Sequence, residues 1–386
     1  LEWSRRSAAE VLSDYFSAWQ MWMPAISSGP TVWGAPPTAP GTGLAAAVYA
    51  TRHLVRTGRP EGGSGALTDA VRASFEAAGG RVRCDARVQR ILIDGEDVGG
   101  IELTTGQRLT ASVVVAACDP HRVLVDWIAE PPTAARRLVE EYRSRPVDDG
   151  YESKVDAVLS GLPRHRFADQ IEARHPGVDL LGPTTLVSPS PDRLAEAHAL
   201  RQSGRVASQP TLLTNIPSTL DRAMVGTDAP ADRHVLSLEV LFTPYDLVGG
   251  WANSSEPERW IGLWADLMEP GARDFITDWR AMTPDRYERE FSMHRGHTPA
   301  YAASPLATLA GRDPELSRYR TPIGGLYLTG AGTFPGAGIF GASGRNAADV
   351  VRRDLESSLW ANTHHLTRRA RSLVFSLGER LREVRR

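Results

Sequence analysis

The hydrophobic and polar positions of the chain change their period several times, and each change predicts a different element. At 62–80, GGSGALTDAVRASFEAAGG places its apolar residues at helical spacing between glycine stops, which predicts an amphipathic helix. RVRCDARVQRILIDG and VGGIELTTGQRLTASVVVAACDP follow, and their β-branched runs separated by turn residues predict strands. The continuous apolar run at 112–117 predicts a strand covered on both faces.

Between 121 and 320 the two periods alternate. PTAARRLVEEYRS and EPERWIGLWADLMEP have helical spacing, whereas SKVDAVLSG, PTTLVSP, TLLTNIPST and HVLSLEVLFTP are typical of strands. GLYLTGA, at 325–331, then predicts a buried strand that leads into a glycine-rich stretch. Residues 1–57 indicate helices broken by a loop rich in proline and glycine. The chain is therefore predicted to have a mixed α/β fold.

The order of these elements predicts a domain made of two separated pieces, 58–120 and 321–361. A second domain, 121–320, is inserted between them, and the helices of 1–57 belong with it. A tail at 362–386 has apolar residues near helical spacing and arginines on its other faces, so we interpret it as a basic amphipathic helix.

Composition narrows the class of protein. Hydrophobic residues make up 41% of the chain and charged residues 23%, which is enough apolar material for a sizeable core. The net charge of −2 gives no reason to expect a nucleic-acid partner, and no apolar run reaches the roughly 20 residues of a membrane span. Cys84 and Cys118 have no metal-ligand spacing and predict no metal site; we expect both to be buried in a cytoplasmic protein.

The stretch GAGTFPGAGIFGASGRNAADVV, at 330–351, contains a formal G-x-G-x-x-G at Gly336, Gly338 and Gly341. A dinucleotide fingerprint needs a strand ending at its first glycine and a second strand with an acidic residue after the helix, and neither is present here. The composition still favours a ligand, because five glycines expose bare backbone just before a helix predicted to begin near Ala342. A helix start of this kind suits an anion or an electron-rich carbonyl edge. The alternative is a glycine-rich turn that serves only close packing.

GLYLTGAGTFPGAGIFGASGRNAA resembles the C-terminal flavin-binding signature of phytoene desaturase-like FAD-dependent oxidoreductases, a group that includes the pyridine nucleotide-disulphide oxidoreductase domain 2 type. GGSGALTDAV, VQRILIDG and SVVVAACDP resemble the middle segments of that family, in the same order. IPSTLDRAMVGTDAPADRHVLSLEVLFTPYDLVGG resembles the core of its substrate domain. The resemblance implies a partial two-domain flavoprotein fold with FAD as cofactor. In that fold 58–120 and 321–361 are FAD-domain segments, and 1–57 and 121–320 form a mixed-sheet substrate domain.

The resemblance also implies positions for the cofactor. Val88 lies on the strand that meets the adenine end of FAD, although an ordinary strand residue is the alternative for it. The other implied FAD contacts fall into a bordering loop, a segment beside the pyrophosphate and ribityl chain, and a segment under the isoalloxazine ring. These are Gly62, Gly63 and Gly65; Gly330, Ala331 and Gly332; and Gly338, Ile339, Gly341 and Ala342.

The function implied by the resemblance is hydride transfer from an apolar substrate, of the isoprenoid or polyene kind, to N5 of the flavin. His297, in a loop upstream of the predicted flavin strand, is the candidate for lining the flavin face; a structural histidine is the alternative. The other function that remains open is a non-catalytic binding or regulatory protein that holds no FAD. Amine oxidase chemistry is a third, less favoured hypothesis.

The family's N-terminal strand–G-x-G-x-x-G–helix unit has no counterpart in acceptable context here. We therefore expect a fragment or a truncated gene product, and FAD binding by this chain alone is left open. The tail has two alternatives: contact with an anionic membrane surface, or docking on its own domain. Substrate identity, electron acceptor and oligomeric state do not follow from the sequence.

Overall fold

The computed structural model describes residues 2–28, 34–54, 58–145, 150–226, 228–299, 313–338 and 341–357. The chain divides into two compact units. Unit 1 contains Leu1–Arg87 and Arg145–Ala302, and unit 2 contains Val88–Ser144 and Ala303–Arg386. Which ranges serve a cofactor and which a substrate stays a prediction. The predicted tail, 362–386, lies outside the described residues. Within the described ranges, none of the helices combines the length and apolar character that crossing a bilayer requires.

Both units contain helices and strands. The α-helices are α1 Ala8–Ser13, α2 Met23–Ser28, α3 Leu44–Arg52, α4 Gly63–Ala77, α5 Arg136–Ser144, α6 Ala168–Arg174, α7 Pro191–Gln202, α8 Glu256–Ala265, α9 Pro284–Phe291, α10 Pro314–Arg318 and α11 Ala342–Glu356. The strands are β1 Val88–Asp94, β2 Asp97–Leu103, β3 Arg108–Thr110, β4 Val114–Ala116, β5 Tyr151–Leu159, β6 Thr185–Val187, β7 Leu212–Asn215, β8 His234–Thr243, β9 Ile276–Met282 and β10 Leu326–Leu328. The mixed α/β class predicted from the sequence is confirmed.

Unit 1 is organised around a five-stranded antiparallel sheet with the order β6-β7-β8-β5-β9. Buried and half-buried residues alternate strictly along β5, as a strand with two different faces requires. The buried face packs against α8, whose Trp260 and Trp264 are almost wholly inaccessible to solvent. The strands predicted at β5 to β8 are confirmed. β9 was missed, because its central residues are exposed and mostly polar and show no apolar alternation.

Unit 2 contains the antiparallel strands β1, β2 and β3 and a separate parallel pair formed by β10 and β4. β10 is buried along its length, as its sequence predicts. The expectation that the run at 112–117 is covered on both faces is wrong, since the Val115 side chain is 44% exposed. The described neighbour of β4 is β10 alone, and Val115 lies on the uncovered face of that pair.

The expectation that the cysteines are buried is also wrong. Cys84 and Cys118 are both exposed and reduced. Cys84 lies just before β1 and Cys118 two residues after the end of β4, so both occupy connecting segments and neither fills a core position.

Candidate functional site

The glycine-rich stretch begins in unit 2, directly after β10. Gly330 has a φ of +86°, and a Cβ atom built on it would lie 3.2 Å from the carbonyl oxygen of Ala117. Since a side chain here would press on the backbone that follows β4, Gly330 serves close packing of the two segments. The packing alternative therefore accounts for the first glycine of the stretch.

Residues 330–336 form a self-bonded turn, called here the glycine turn. The Thr333 N–H and hydroxyl both donate to the Gly330 carbonyl, at 3.1 and 2.9 Å, and the Gly336 N–H donates to Thr333 at 2.7 Å. Ala331 is exposed and Gly332 is buried. These hydrogen bonds close the turn on itself, while the Phe334 N–H donates outside it, to the Leu316 carbonyl at 2.9 Å.

A second set of contacts fastens the glycine turn to α11. The Tyr319 hydroxyl donates to the Phe334 carbonyl at 2.6 Å, and the Asn346 side-chain amide donates to that hydroxyl at 2.9 Å. Asn346 lies on the second turn of α11. The start of the helix is thereby held at a fixed position relative to the turn.

The segment at the start of α11 is open. Gly338 and Gly341 are exposed, Ala342 is half-buried, and Ile339 lies outside the described residues. Gly341 is the N-cap of α11 with a φ of +63°, and a Cβ on it would meet nothing within 4 Å. Glycine is therefore required here by backbone conformation, while the space around it is left clear.

The electrostatics of this end of α11 favour negative charge. The helix has 15 residues, and its first N–H groups have no intrahelical acceptor. The exposed Arg345 side chain adds a positive charge within the first two turns. Together they suit an anion or a carbonyl edge that carries partial negative charge.

The predicted bordering loop lies in unit 1. The Gly62 N–H donates to Asp221 at 2.6 Å, and a Cβ on Gly63 would come within 3.0 Å of the Met224 methyl group. Gly65 is exposed, with open space where a Cβ would be. The start of α4 is thus fastened to the short helical segment Arg222–Val225.

Val88 and His297 occupy ordered positions, but nothing in their surroundings assigns them a role. Val88 is half-buried at the start of β1 and pairs with Leu103. His297 is buried, and a Cβ on Gly34 would come within 3.3 Å of its Cε1 atom. Both the FAD contact of Val88 and the catalytic role of His297 stay predictions.

Unit 1 also holds a cavity of about 600 Å³ over the half-buried face of its sheet. Apolar side chains line part of this sheet cavity, among them Val158 and Val235, which pair across β5 and β8, and Pro217 and Met224, while Asp278 on β9 lies opposite Val158. Lys154 and Glu239, which are also paired across β5 and β8, form what is called here its charged end. The cavity therefore has both an apolar and a charged region.

The charges of the sheet cavity compensate one another. Lys154 Nζ lies 2.8 Å from Asp156, and the Arg280 guanidinium approaches the same carboxylate at 3.3 Å. The Arg59 guanidinium donates to the Thr184 hydroxyl at 3.0 Å. Cationic and acidic lining residues are equal in number, three of each: Arg59, Lys154 and Arg280; Asp156, Glu239 and Asp278.

Behind the charged end, Glu152 on β5 lies diagonally across from Glu239 on β8, and the two carboxyl groups are called here the carboxyl pair. Burial, followed by the charge of Glu239, raises the pKa of Glu152 to about 8. Burial and the two carboxyl groups also raise the pKa of the neighbouring Tyr287. Glu152 is therefore protonated near neutral pH and donates to Glu239, because two ionised carboxylates at this separation would repel each other.

The backbone beside Glu152 is held in unusual conformations. Tyr151 has a φ of 120° and Phe242, on the opposite strand, a φ of 65°. Tyr151 pairs with Thr243 and Glu152 with Leu241, so Phe242 is the extra residue of a β-bulge. Bulges re-aim the side chains next to them, and conformations of this kind cost about 1–3 kcal/mol each. The position of Glu152 is thus fixed by both strands.

The sequence analysis assigned no role to the carboxyl pair or to the sheet cavity. A signal was present, since Glu152, Lys154 and Asp156 alternate with small or apolar residues along β5, and Glu239 interrupts an apolar run. That pattern shows a charged face. It does not show which strand lies opposite, and the pairing of Lys154 with Glu239 depends on that.

Comparison with known proteins finds similarity to flavin-containing amine oxidoreductases and to other oxidoreductases, among them desaturases. Residues 5–151 match the model of flavin containing amine oxidoreductases. The chain is 30% identical over 316 residues to pyridine nucleotide-disulfide oxidoreductase domain-containing protein 2 of Rattus norvegicus, covering 77% of this chain and 51% of the rat protein. It is 26% identical over 328 residues to a lycopene-forming phytoene desaturase of a Paracoccus species, and this match covers 81% of this chain and 59% of the desaturase. It is 25% identical over 347 residues to a limonene dehydrogenase subunit of Castellaniella defragrans, and that match covers 85% of this chain and 61% of the subunit.

The chain therefore spans between about half and three fifths of the length of these relatives. Among solved structures, an oxidoreductase from Methanosarcina mazei is similar with a TM-score of 0.56 and 17% identity, covering 91% of this chain and 68% of that one. Putrescine oxidase bound to putrescine is similar with a TM-score of 0.54 and 18% identity, and the similarity covers 91% of this chain and 69% of the oxidase. At these identities the two structures show a shared fold.

Proposed function

This chain is a relative of the phytoene desaturase-like FAD-dependent oxidoreductases, and from that premise we propose that it binds FAD and takes part in the dehydrogenation of an apolar substrate. The sequence relatives are named as a phytoene desaturase, a hydroxyneurosporene desaturase and a limonene dehydrogenase subunit. These names favour an isoprenoid or polyene substrate over an amine. Putrescine oxidase supports the fold alone.

The observation that carries the proposal is the open start of α11. Gly341 has open space where a side chain would begin, directly before the first N–H groups of the helix, and Asn346 and Tyr319 connect this helix to the glycine turn. A flat ring with a partly negative carbonyl edge fits such a site, because it needs close approach to backbone and a positive electrostatic environment.

The residues of the chain bind and orient the flavin. The N–H groups at the start of α11 and the exposed Arg345 stabilise negative charge on whatever lies in front of them. Tyr319 and Asn346 keep this helix end from moving away from the turn. Bound flavin supplies the redox chemistry, since it accepts a hydride at N5.

The test is the visible spectrum of the purified chain after FAD has been added and the unbound FAD has been removed by gel filtration. We expect a bound-flavin band at about 450 nm, a property of the cofactor itself. Gly341→Val places a side chain in the open space, and we expect at least about a tenfold loss of FAD affinity, or roughly 1.4 kcal/mol. The measurement is a fluorescence titration with FAD.

Gly177→Val is the matched control, because Gly177 also has a positive φ of +78° and open space around its Cβ position, and it lies in unit 1. It carries the same backbone strain without touching the start of α11. A folded chain that binds no FAD overturns the proposal and favours the non-catalytic alternative. Equal FAD affinities of the two variants would remove Gly341 from the site.

A further inference from the structure

The sheet cavity has a chemistry that the proposed function does not use. Its size, about 600 Å³, lies in the range of small-molecule sites. Its lining includes the apolar side chains of Val158, Val235, Pro217 and Met224, and its charged end is formed by Lys154 and Glu239. A molecule that fills it contacts apolar side chains and, at the charged end, an ammonium and a carboxylate group.

The charged end discriminates between kinds of polar group. Asp156 neutralises Lys154 at 2.8 Å and also contacts Arg280 at 3.3 Å. A charged head would have to compete with these ion pairs and bring its own charge out of water, which is costly in a half-buried site. A neutral oxygen has no such desolvation cost and needs only a donor or an acceptor.

The carboxyl pair supplies both a hydrogen-bond donor and a hydrogen-bond acceptor. One proton is shared between Glu152 and Glu239, so the pair contains an O–H donor and unprotonated acceptor oxygens at the same time. A hydroxyl group can donate to the pair, and a carbonyl group can accept from it or from the Lys154 ammonium. Because strained conformations at Tyr151 and Phe242 fix the strands here, the pair is preorganised before any ligand enters.

We propose that the sheet cavity binds an apolar molecule through a neutral oxygen, a hydroxyl or a carbonyl, and that Glu239, backed by Glu152, and Lys154 are the hydrogen-bonding partners of that oxygen. The identification of this molecule as the substrate of the dehydrogenation rests on the proposed function. The binding itself does not, since every lining residue belongs to unit 1 and no flavin is required.

Several titratable groups face the carboxyl pair, and they set its pH dependence. Lys154 on β5 acts on Glu152, and Tyr287 on α9 faces both carboxyl groups together with Asp156 on β5 and Arg280 on β9. Tyr287 stays neutral over the range considered, because its pKa is raised above an already high ordinary value. The ionisation that matters near neutral pH is therefore the loss of the proton shared by the carboxyl pair.

The experiment is titration calorimetry of the full chain, without flavin, against four probes that share one isoprenoid skeleton type: geraniol, geranial, geranate and the hydrocarbon myrcene. We expect geraniol and geranial to bind about tenfold more tightly than myrcene, as one hydrogen bond to a charged or proton-sharing group allows. Glu239→Leu should reduce this preference to less than about threefold. Glu196→Leu, an exposed position on α7, is the control and should change nothing.

Tighter binding of geranate than of geraniol overturns the proposal, as does equal binding of geraniol and myrcene. An equal loss of affinity for all four probes in Glu239→Leu does the same.

Should Glu239→Leu fail to fold, Glu152→Gln gives a separate test. Geranial affinity of the unmodified chain should fall as pH is raised from 7 to 9.5, because a carbonyl needs the donor that the pair then loses, and Glu152→Gln, whose amide remains a donor throughout, should abolish the fall. An identical pH profile in both contradicts the proposal. Failure to bind FAD would leave all these results unchanged, so the two proposals fail separately.

Discussion

At the scale of single residues, the placement of Glu152 links stability to pH. Its pKa is raised to about 8 in the folded chain, against an ordinary glutamate value of about 4.5. The folded chain therefore holds a proton that the unfolded chain releases. The stability due to this proton is fully present below the ordinary value and is lost as pH rises through about 8.

We expect Glu152→Gln to remove this dependence, because the amide stays neutral at every pH. Between pH 5 and 8 the unfolding free energy of the unmodified chain should fall relative to the variant by up to about 1.4 kcal/mol per pH unit. Urea unfolding at a series of pH values measures the difference. Glu196→Gln, at an exposed position of the same unit, should keep the original slope. A Glu152→Gln variant with that slope unaltered would show that Glu152 is not the buried proton carrier.

Some residues could be placed from the sequence because local chemistry alone determines them. The start of α11 beside Gly341 is an example: the spacing of glycines and the helical pattern after them fix it without any tertiary information. The carboxyl pair is the opposite case. Glu152 and Glu239 lie 87 positions apart, and only the register of β5 against β8 brings their side chains close together.

At the scale of elements, the attachment of α11 to the strand before it depends on one carboxylate. Asp354 accepts two hydrogen bonds from Arg320, both at 2.7 Å, and one from the Tyr327 hydroxyl at 3.0 Å. The Arg320 guanidinium holds the pKa of Asp354 below its ordinary range. Burial and the Asp354 carboxylate raise the pKa of Tyr327 to about 12. α11 is thus joined to β10 near its C-terminal end as well as at its start.

We expect Asp354→Asn to destabilise the chain by about 1–2 kcal/mol at pH 7, a modest figure because solvent partly screens the pair. A depressed carboxyl pKa contributes stability above the ordinary aspartate value, and that stability is lost as pH falls through the folded value. The difference between variant and unmodified chain should therefore shrink below about pH 4. Asp349→Asn, on the same helix with only a 3.9 Å contact to Arg352, is the control for urea unfolding. An undiminished difference at pH 3 would contradict the assignment.

The elements also show where sequence patterns mislead. The apolar run containing β4 predicted a strand covered on both faces, yet Val115 is exposed. An apolar sequence shows that a strand is suited to burial, but it does not show which neighbours cover the strand in the described chain. β9 was missed for the converse reason. It pairs with β5 through its backbone, while its central side chains are exposed and mostly polar. Backbone pairing cannot be recognised from a hydrophobic pattern.

At the scale of the whole molecule, the tail at 362–386 remains a sequence-based prediction of peripheral membrane contact. Seven arginines against two glutamates from His364 onward, on an apolar stripe, suit an anionic lipid surface. We expect the full chain to sediment with vesicles containing phosphatidylserine and a chain without 362–386 to stay in the supernatant. Added salt should release the full chain, because the attraction is electrostatic. Equal sedimentation of both chains would favour docking of the tail on the protein instead.

The sheet cavity has one more consequence, which follows from the composition of the chain. Lys154 is the sole lysine among 44 basic lysine and arginine residues, and its ammonium group lines the charged end of the cavity. A reagent that acylates primary amines therefore has a single side-chain target in this sequence. A fluorophore attached there would report on the occupancy of the cavity from within, with no engineered cysteine and no substitution elsewhere.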